Sequence, residues 1–177
     1  MDAKERLLEQ VLILRCQIGD SEALKELFNR YKNPLRYFIN RLLDDSEVAD
    51  DVFQDTWLTV LRKIRTLKQL DAFTVWLYRI ARNKVYQQFR KKRVWTELDE
   101  SLLTEEDTND DGFSSEDAAK IHKCLEKLKL QHKEVLMLRF LEQMTYQQIA
   151  DVVGCNLGTV RSRIFHAKIA LKAEMEK

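Results

Sequence analysis

The sequence has few of the residues that a β-rich or disulfide-bonded protein needs. Its 177 residues include only four glycines and one proline, so the turn residues that hairpins require are scarce. Its three cysteines, Cys16, Cys124 and Cys155, are far apart and odd in number, which favours reduced apolar side chains over a disulfide framework. Good helix formers are abundant. We therefore predict an all-α protein.

Long apolar runs and catalytic motifs are also missing. No stretch approaches the roughly 18 uninterrupted apolar residues of a transmembrane helix, and no signal-peptide pattern begins the chain, so we expect a cytoplasmic protein. There is no glycine-rich phosphate loop and no nucleophile elbow. The histidines, His122, His132 and His166, lack the spacing of zinc ligands. We expect no catalytic residue, metal, cofactor or small-molecule substrate.

Charge is unevenly distributed, although the formal net charge is only +1. Residues 1–93 carry 19 Lys and Arg against 13 Asp and Glu, residues 94–119 carry none against 10, and residues 120–177 carry 11 against 6. An acidic segment without hydrophobic periodicity is typical of a flexible connector. We predict two small helical domains, 1–93 and 118–177, joined by a flexible acidic linker, 94–117.

Hydrophobic residues recur at helical spacing in both predicted domains. The N-terminal pattern predicts a helix over about 21–43, with Ser21 as its N-cap and Pro34 as a point where it can bend. Further helices are predicted from about Ser46 and about Asp71. The apolar side chains that the second helix should bury are Val48, Val52, Phe53, Val60, Leu61 and Ile64. In the C-terminal domain the pattern predicts four helices.

The last two of these helices have the pattern of a helix-turn-helix. Thr145 with Gln148 forms a capping box at the start of a short helix, Gly154 ends that helix, and Asn156 can cap the next. The second helix of such a motif enters the major groove of DNA, where an arginine fork can bond guanine. The candidates for base or phosphate contacts are Arg161 and Arg163, and the candidates for phosphate contacts alone are Lys168 and Lys172. A helical hairpin with a solvated outer face is the alternative.

A second nucleic-acid signal lies in residues 76–93, which combine seven cationic and four aromatic side chains with no acidic one. Rings stack on unpaired bases and cations pair with phosphates, so the pattern suits single-stranded nucleic acid. Alternatively, the rings belong to the core and the charges to a solvated face. The residues are Trp76, Tyr78, Arg79, Arg82, Lys84, Tyr86, Phe89, Arg90, Lys91, Lys92 and Arg93.

Asp50, Asp51 and Asp55 cluster on the predicted second helix. Such a cluster can hold magnesium for diphosphate chemistry in all-α terpenoid enzymes. That site needs facing carboxylates from another helix, and the sequence has no second aspartate motif and too short a chain to enclose the cavity. A solvated or partner-facing surface is favoured.

In this order, the segments resemble the extracytoplasmic-function group of bacterial sigma factors over about residues 19–175. Residues 47–64 resemble the family's polymerase-binding helix, and residues 72–83 resemble the part that recognises and melts the minus-ten element. Residues 145–168 resemble the helix-turn-helix that recognises the minus-thirty-five element. The chain departs from the usual pattern at Asn156, where many members have Pro, and at 88–89, where many have Asp-Arg.

The resemblance implies a sigma factor that directs promoter-specific initiation, and it assigns three sets of residues. The core-polymerase set is Asp50, Asp51, Phe53, Gln54, Asp55 and Trp57. The minus-ten set is Trp76, Tyr78, Arg79, Arg82, Asn83, Lys84 and Arg90. The minus-thirty-five set is Asn156, Gly158, Thr159, Arg161, Ser162, Arg163, His166 and Lys168.

The implied partners are core RNA polymerase, promoter DNA and an anti-sigma factor. The carboxylate helix is assigned to the clamp helices of the largest polymerase subunit, and the helices after Asp117 to the flap of the second-largest. We expect the chain to bind promoter DNA both as a duplex and as the melted non-template strand. We expect the free chain to be a monomer. The alternatives are a stand-alone helix-turn-helix regulator, which would need a dimerisation helix, and a structural adaptor without DNA preference.

Overall fold

The computed structural model describes residues 3–96 and 116–177, and the side chains of 4–91 and 121–177. Every regular element in these ranges is a helix, which confirms the all-α prediction. The N-terminal helices are α1 (Ala3–Gln17), α2 (Ser21–Leu42), α3 (Ser46–Lys63) and α4 (Phe73–Thr96), with short 3-10 helices at Ile64–Thr66 and Leu70–Ala72. The C-terminal helices are α5 (Glu116–Glu126), α6 (Leu130–Phe140), α7 (Tyr146–Val153) and α8 (Leu157–Met175).

The predicted linker, 94–117, overlaps the end of α4 and the start of α5. The rest of the linker lies outside the described residues. Within the described part, no helix is long and apolar enough to cross a membrane.

Helix α1 was not predicted, because its apolar residues surround it instead of forming one stripe. Leu12 and Ile13 are buried, whereas Leu7 and Leu14 are exposed. Side-chain hydrogen bonds attach α1 to the bundle: the Gln17 amide donates to two carbonyl oxygens of the α3–α4 connection at 2.9 and 2.8 Å. A pattern method that relies on a single apolar face finds no signal in such a helix.

The N-terminal helices α2 and α3 begin with aspartate caps. Asp20 accepts hydrogen bonds from two backbone N–H groups of α2, so the prediction that Ser21 is the N-cap is wrong. Asp45 caps α3 in the same way. An aspartate one residue earlier satisfies the orphan N–H groups and also places negative charge at the positive end of the helix. Helix α2 continues through Pro34.

The N-terminal core forms where α2, α3 and α4 face one another. Phe38, Val52 and Leu77 are buried there. The prediction that Leu61 is buried is wrong, since half of it is exposed. Its neighbour Val60 lies on the buried stripe of α3, and one further residue turns the side chain by about 100° away from that stripe.

The C-terminal helices pack around α8 and also against the N-terminal half. Helix α6 contacts α8 on one side and α2 on another, and α7 packs on α4. The buried side chains of α7 and α8 include Ile149, Val153, Val160 and Ile164. The two halves therefore share a packed interface in this structure.

Candidate functional site

The outer face of α3 carries the predicted carboxylate cluster. Asp50, Asp51, Gln54 and Asp55 are all exposed. Two of them pair with cations of neighbouring helices: Asp50 lies 3.0 Å from Arg36, and Asp55 lies 3.6 Å from Lys84. Among the described residues there is no group of three or more His, Cys, Asp or Glu arranged to hold a metal ion.

Phe53 and Trp57, predicted with this cluster, are not part of its exposed face. Both are largely buried and pack edge-on against Phe28 of α2, with ring centroids 6.1 and 5.0 Å away. Edge-on aromatic contacts of this kind stabilise the packing. The structure thus separates the predicted set into four exposed polar residues and two aromatic residues that fix the position of α3.

The basic helix α4 has an exposed outer stripe. Arg79, Asn83 and Arg90 are exposed, and their spacing of four and seven residues brings them to the same side of the helix. Lys84 is half-buried, and Trp76 is half-buried with its ring 5.9 Å from that of Phe73. The exposed stripe combines two guanidinium groups with an amide.

Two other predicted minus-ten residues point inward. Tyr78 is fully buried, with its ring 5.1 Å from that of Phe38. Its hydroxyl makes no well-aligned hydrogen bond among the described residues, but it lies close to the Glu142 carboxylate of the C-terminal half. Burial raises the pKa of the Tyr78 phenol, and the charge of Glu142 raises it further. Tyr78 is a core residue in this arrangement.

Arg82 is bound by a carboxylate of the C-terminal half. Its Nε lies 2.5 Å from Glu134 on α6, and the Tyr86 hydroxyl donates to the other oxygen of Glu134 at 3.2 Å. The Arg82 guanidinium also lies over the Tyr86 ring, 4.1 Å from its centroid. Burial raises the pKa of the Glu134 carboxyl while Arg82 lowers it, and burial beside Glu134 raises the pKa of Tyr86 to about 12. Sequence reasoning missed Glu134, since only tertiary packing brings it to α4.

The helix-turn-helix has the local geometry that its sequence predicts. Thr145 and Gln148 make the reciprocal hydrogen bonds of a capping box. Gly154 ends α7 in the left-handed conformation, with φ +70°, which an L side chain adopts only at a cost. The Asn156 side chain accepts hydrogen bonds from the backbone and hydroxyl of Thr159 at 2.7 and 2.9 Å. Asn156 is therefore occupied as the N-cap of α8.

The start of α8 presents its polar side chains outward. Val160 and Ile164 are buried and fix the helix, so the residues between them face solvent. The exposed members of the predicted set are Asn156, Gly158, Arg161, Ser162, His166 and Lys168, and the partly exposed members are Thr159 and Arg163. Lys168 lies over the ring of Phe140, 5.2 Å from its centroid. The positive charges of this surface also act on His132 of α6. Burial lowers the pKa of His132, and the charges of Lys129, His166 and Arg163 lower it further.

A groove of about 1610 Å³ lies between α2 and the C-terminal helices, beside the contact of α2 with α6. Polar contacts bridge it: Arg41 lies 2.8 Å from Glu126, and Tyr37 and His122 are hydrogen-bonded at 2.5 Å. Much of its lining is apolar, including Pro34, Leu43, Ile121, Leu125, Phe140 and Met175.

Comparison with known proteins gives matches in both halves. The family model for Sigma-70 region 2 matches residues 27–94, and that for Sigma-70, region 4 matches residues 111–171. An ECF RNA polymerase sigma-E factor from Haemophilus influenzae is 31% identical over 97% of each chain. An RNA polymerase sigma-H factor from Pseudomonas aeruginosa is 31% identical over 95% of this chain and 94% of its own.

Two solved structures share the fold. The sigma factor RpoE in complex with the anti-sigma factor NepR from Bartonella quintana has a TM-score of 0.77 and 25% identity, covering 86% of this chain and 96% of its own. CnrH in complex with the cytosolic domain of CnrY has a TM-score of 0.69 and 23% identity, covering 95% and 97%.

Proposed function

The chain belongs to the extracytoplasmic-function group of RNA polymerase sigma factors, and from this premise we propose which of its surfaces meets each partner during initiation. It acts with RNA polymerase at promoter DNA. The polymerase, and not this chain, forms the phosphodiester bonds of the transcript. The proposed division is a core-binding and minus-ten domain at 1–93, a linker at 94–117 and a minus-thirty-five domain at 118–177.

The exposed face of α3 is the proposed docking site for the clamp helices of the largest polymerase subunit. Asp50, Asp51, Gln54 and Asp55 all face outward, and this exposure is the observation that carries the proposal. Buried Phe53 and Trp57 pack beside this face and hold the helix in place. The ion pairs to Arg36 and Lys84 are exposed on the acidic side, so they contribute little and can exchange for partner cations.

The outer stripe of α4 is the proposed site for the melted non-template strand. Arg79, Asn83 and Arg90 provide cations and an amide, and Trp76 lies on the same helix. Rings and cations together suit unpaired nucleotides, because bases stack while phosphates pair with charge. Extruding each base costs about a few kcal/mol of stacking. Lys84 and Arg82 can join this surface once their present ion pairs are broken.

The start of α8 is the proposed reader of the minus-thirty-five element. Arg161 and Ser162 face outward at the end of the helix that a helix-turn-helix inserts into the major groove. Thr159, Arg163, His166 and Lys168 lie on the adjoining surface, where phosphate contacts would set the register. The exposed apolar side chains Phe140, Leu141 and Ile169 are the proposed contact for the flap of the second-largest subunit.

An anti-sigma factor is the proposed regulator of the chain. The related RpoE was solved in complex with the anti-sigma factor NepR, and the groove between α2 and the C-terminal helices has a largely apolar lining. A segment seated there would bridge the two halves and keep them from separating on polymerase.

Competition for core polymerase tests the docking face. The double variant Asp51→Ala/Gln54→Ala should fail to displace a labelled sigma factor from core, since it removes one carboxylate and one amide from the face. The matched control is Glu26→Ala/Asn29→Ala, which makes the same chemical change at the same spacing on exposed positions of α2. Full competition by the α3 variant, with helical content unchanged in both, would refute the docking face.

A further inference from the structure

Helix α1 and the turn after it carry apolar side chains that the bundle leaves exposed. Val11 and Leu14 are each about half exposed, and Ile18, the residue after the helix, is 84% exposed. The Ile18 N–H donates to the Leu14 carbonyl at 3.2 Å, so the helical spacing continues and the three side chains share one side. Buried Leu12 and Cys16 lie on the other side. Exposed apolar side chains grouped in this way are typical of a surface that a partner covers.

The exposed side of α1 leads to the end of α3. Gly19, in the turn after α1, has φ +92°, and a Cβ added there would lie 3.4 Å from Nη2 of Arg65. Arg65 is exposed in the 3-10 helix that follows α3, four residues after the half-exposed Leu61. Ile18 is next to Gly19 in the chain. Arg65 therefore joins the exposed end of α1 to the exposed end of α3.

Side-chain hydrogen bonds hold α1 against this end of α3. The Gln17 amide donates to the carbonyl oxygens of Ile64 and Leu67, on either side of Arg65 in the chain. Farther back along α1, buried Glu9 accepts a hydrogen bond from the Tyr31 hydroxyl of α2. These contacts already fix α1 relative to α3 in the free chain. A partner that covers both helices therefore has to order neither of them.

The residues assigned to the polymerase face of α3 give it no exposed apolar centre. Its four exposed members are polar, whereas Phe53 and Trp57 are buried. Charged residues are depleted from the centres of protein interfaces, where well-packed anchors carry most of the binding energy. Leu58 and Leu61 are both about half exposed. They follow Gln54 at spacings of four and three residues, so they continue the same side of α3 towards α1.

We propose that core RNA polymerase contacts α1 as well as α3, through an apolar patch formed by Leu14, Ile18, Leu58 and Leu61 around Arg65. This proposal rests on the proposed docking of α3 on the largest polymerase subunit. The complementary polymerase surface lies next to the clamp helices. It should be apolar and should place an acidic group opposite Arg65.

Competition for core polymerase tests the contribution of α1. The double variant Leu14→Gln/Ile18→Gln should lower the affinity for core at least about tenfold, because it removes apolar side chains that the partner would bury. The matched control, Leu7→Gln/Leu8→Gln, makes the same kind of change at exposed positions of α1, about 13 Å farther from α3 along the helix. The control should compete like the wild type. Circular dichroism checks that both variants keep their helical content.

The α3 variant Asp51→Ala/Gln54→Ala, measured in the same assay, separates this proposal from the docking of α3. Weaker competition by both the α3 variant and Leu14→Gln/Ile18→Gln supports one continuous surface. A loss in the α3 variant alone keeps the α3 docking face and refutes the contact through α1. A loss in the α1 variant alone, or an equal loss in its control, would show that the contact does not continue from α3 and would overturn the inference.

Photo-cross-linking identifies what covers the patch and does not depend on the stability of the double variant. A photo-reactive amino acid in place of Ile18 changes a side chain that is mostly exposed, so the chain should still fold and bind core. Irradiation of the complex with core should label the largest subunit next to its clamp helices. Labelling of another subunit, a cross-linked dimer of the chain, or no labelled polymerase would overturn the proposal.

Discussion

The two helices proposed to meet promoter DNA are presented in different ways. The first turns of α8 lie open, and contacts from nearby residues in the chain, such as the Asn156 cap, set their orientation. Helix α4 is divided: Arg79 and Asn83 lie outside, whereas Tyr78 and Arg82 lie inside, the latter bound to a residue 52 positions away. The start of α8 is thus shaped by local contacts, whereas one side of α4 is covered by the opposite half of the chain.

The largest effect should come from truncating the inner side of α4. Tyr78→Ala should lower the free energy of unfolding by about 3–5 kcal/mol, as for other large buried aromatic residues. Arg79→Ala, next to it but exposed, should change that free energy by less than about 0.5 kcal/mol. Urea denaturation followed by circular dichroism measures both. Equal losses of unfolding free energy in the two variants would contradict the division of α4 into a buried and an exposed side.

Replacement of Tyr78 by phenylalanine tests whether its ring or its hydroxyl is needed. Tyr78→Phe removes a buried hydroxyl that makes no well-aligned hydrogen bond but lies close to Glu142, so the free energy of unfolding should change by less than about 1.5 kcal/mol. Initiation at a promoter should also be unchanged, because the ring alone fills the core. A folded Tyr78→Phe variant that lost promoter melting in a transcription assay would show that the hydroxyl contacts DNA.

On α8, removal of an exposed arginine should change DNA selection and leave folding intact. Arg161→Ala should reduce promoter discrimination by about 1–3 kcal/mol if the lost bond is to a base. Binding of the holoenzyme to matched and mismatched minus-thirty-five sequences provides the measurement. A loss that is uniform across sequences would make Arg161 a phosphate contact.

The cap of α8 should matter less, and for a structural reason. Asn156→Ala should cost about 0.5–2 kcal/mol of stability, because the first turn loses its side-chain acceptor. Asn156→Ser keeps an acceptor and should recover most of that loss. Thermal unfolding compares the three proteins, and an alanine variant as stable as the serine variant would contradict the cap.

The smallest effect should come from the far end of the α8 surface. Lys168→Ala should weaken DNA binding equally on all sequences and reduce the slope of log affinity against log salt by about 1. Binding titrations at several salt concentrations measure this slope. A sequence-selective loss would instead place Lys168 at a base.

The features that the sequence predicted depend on local contacts, and those that it did not predict depend on tertiary packing. The capping box at Thr145, the stop at Gly154 and the cap at Asn156 are local signals, and the structure has all three. Burial was harder to predict: α1 lacks an apolar stripe, and Leu61 lies one residue beyond the buried side of α3. The inward position of Arg82 depends on Glu134, and no short-range pattern indicates such a contact.

Transcription on fragmented genomic DNA, with purified chain and core RNA polymerase added separately and together, tests most directly whether this protein directs initiation. Discrete start sites that require both components, preceded by two shared sequence elements, are the predicted result. Duplex DNA binding by the chain alone, with no start site gained when core is present, would contradict its assignment as a sigma factor.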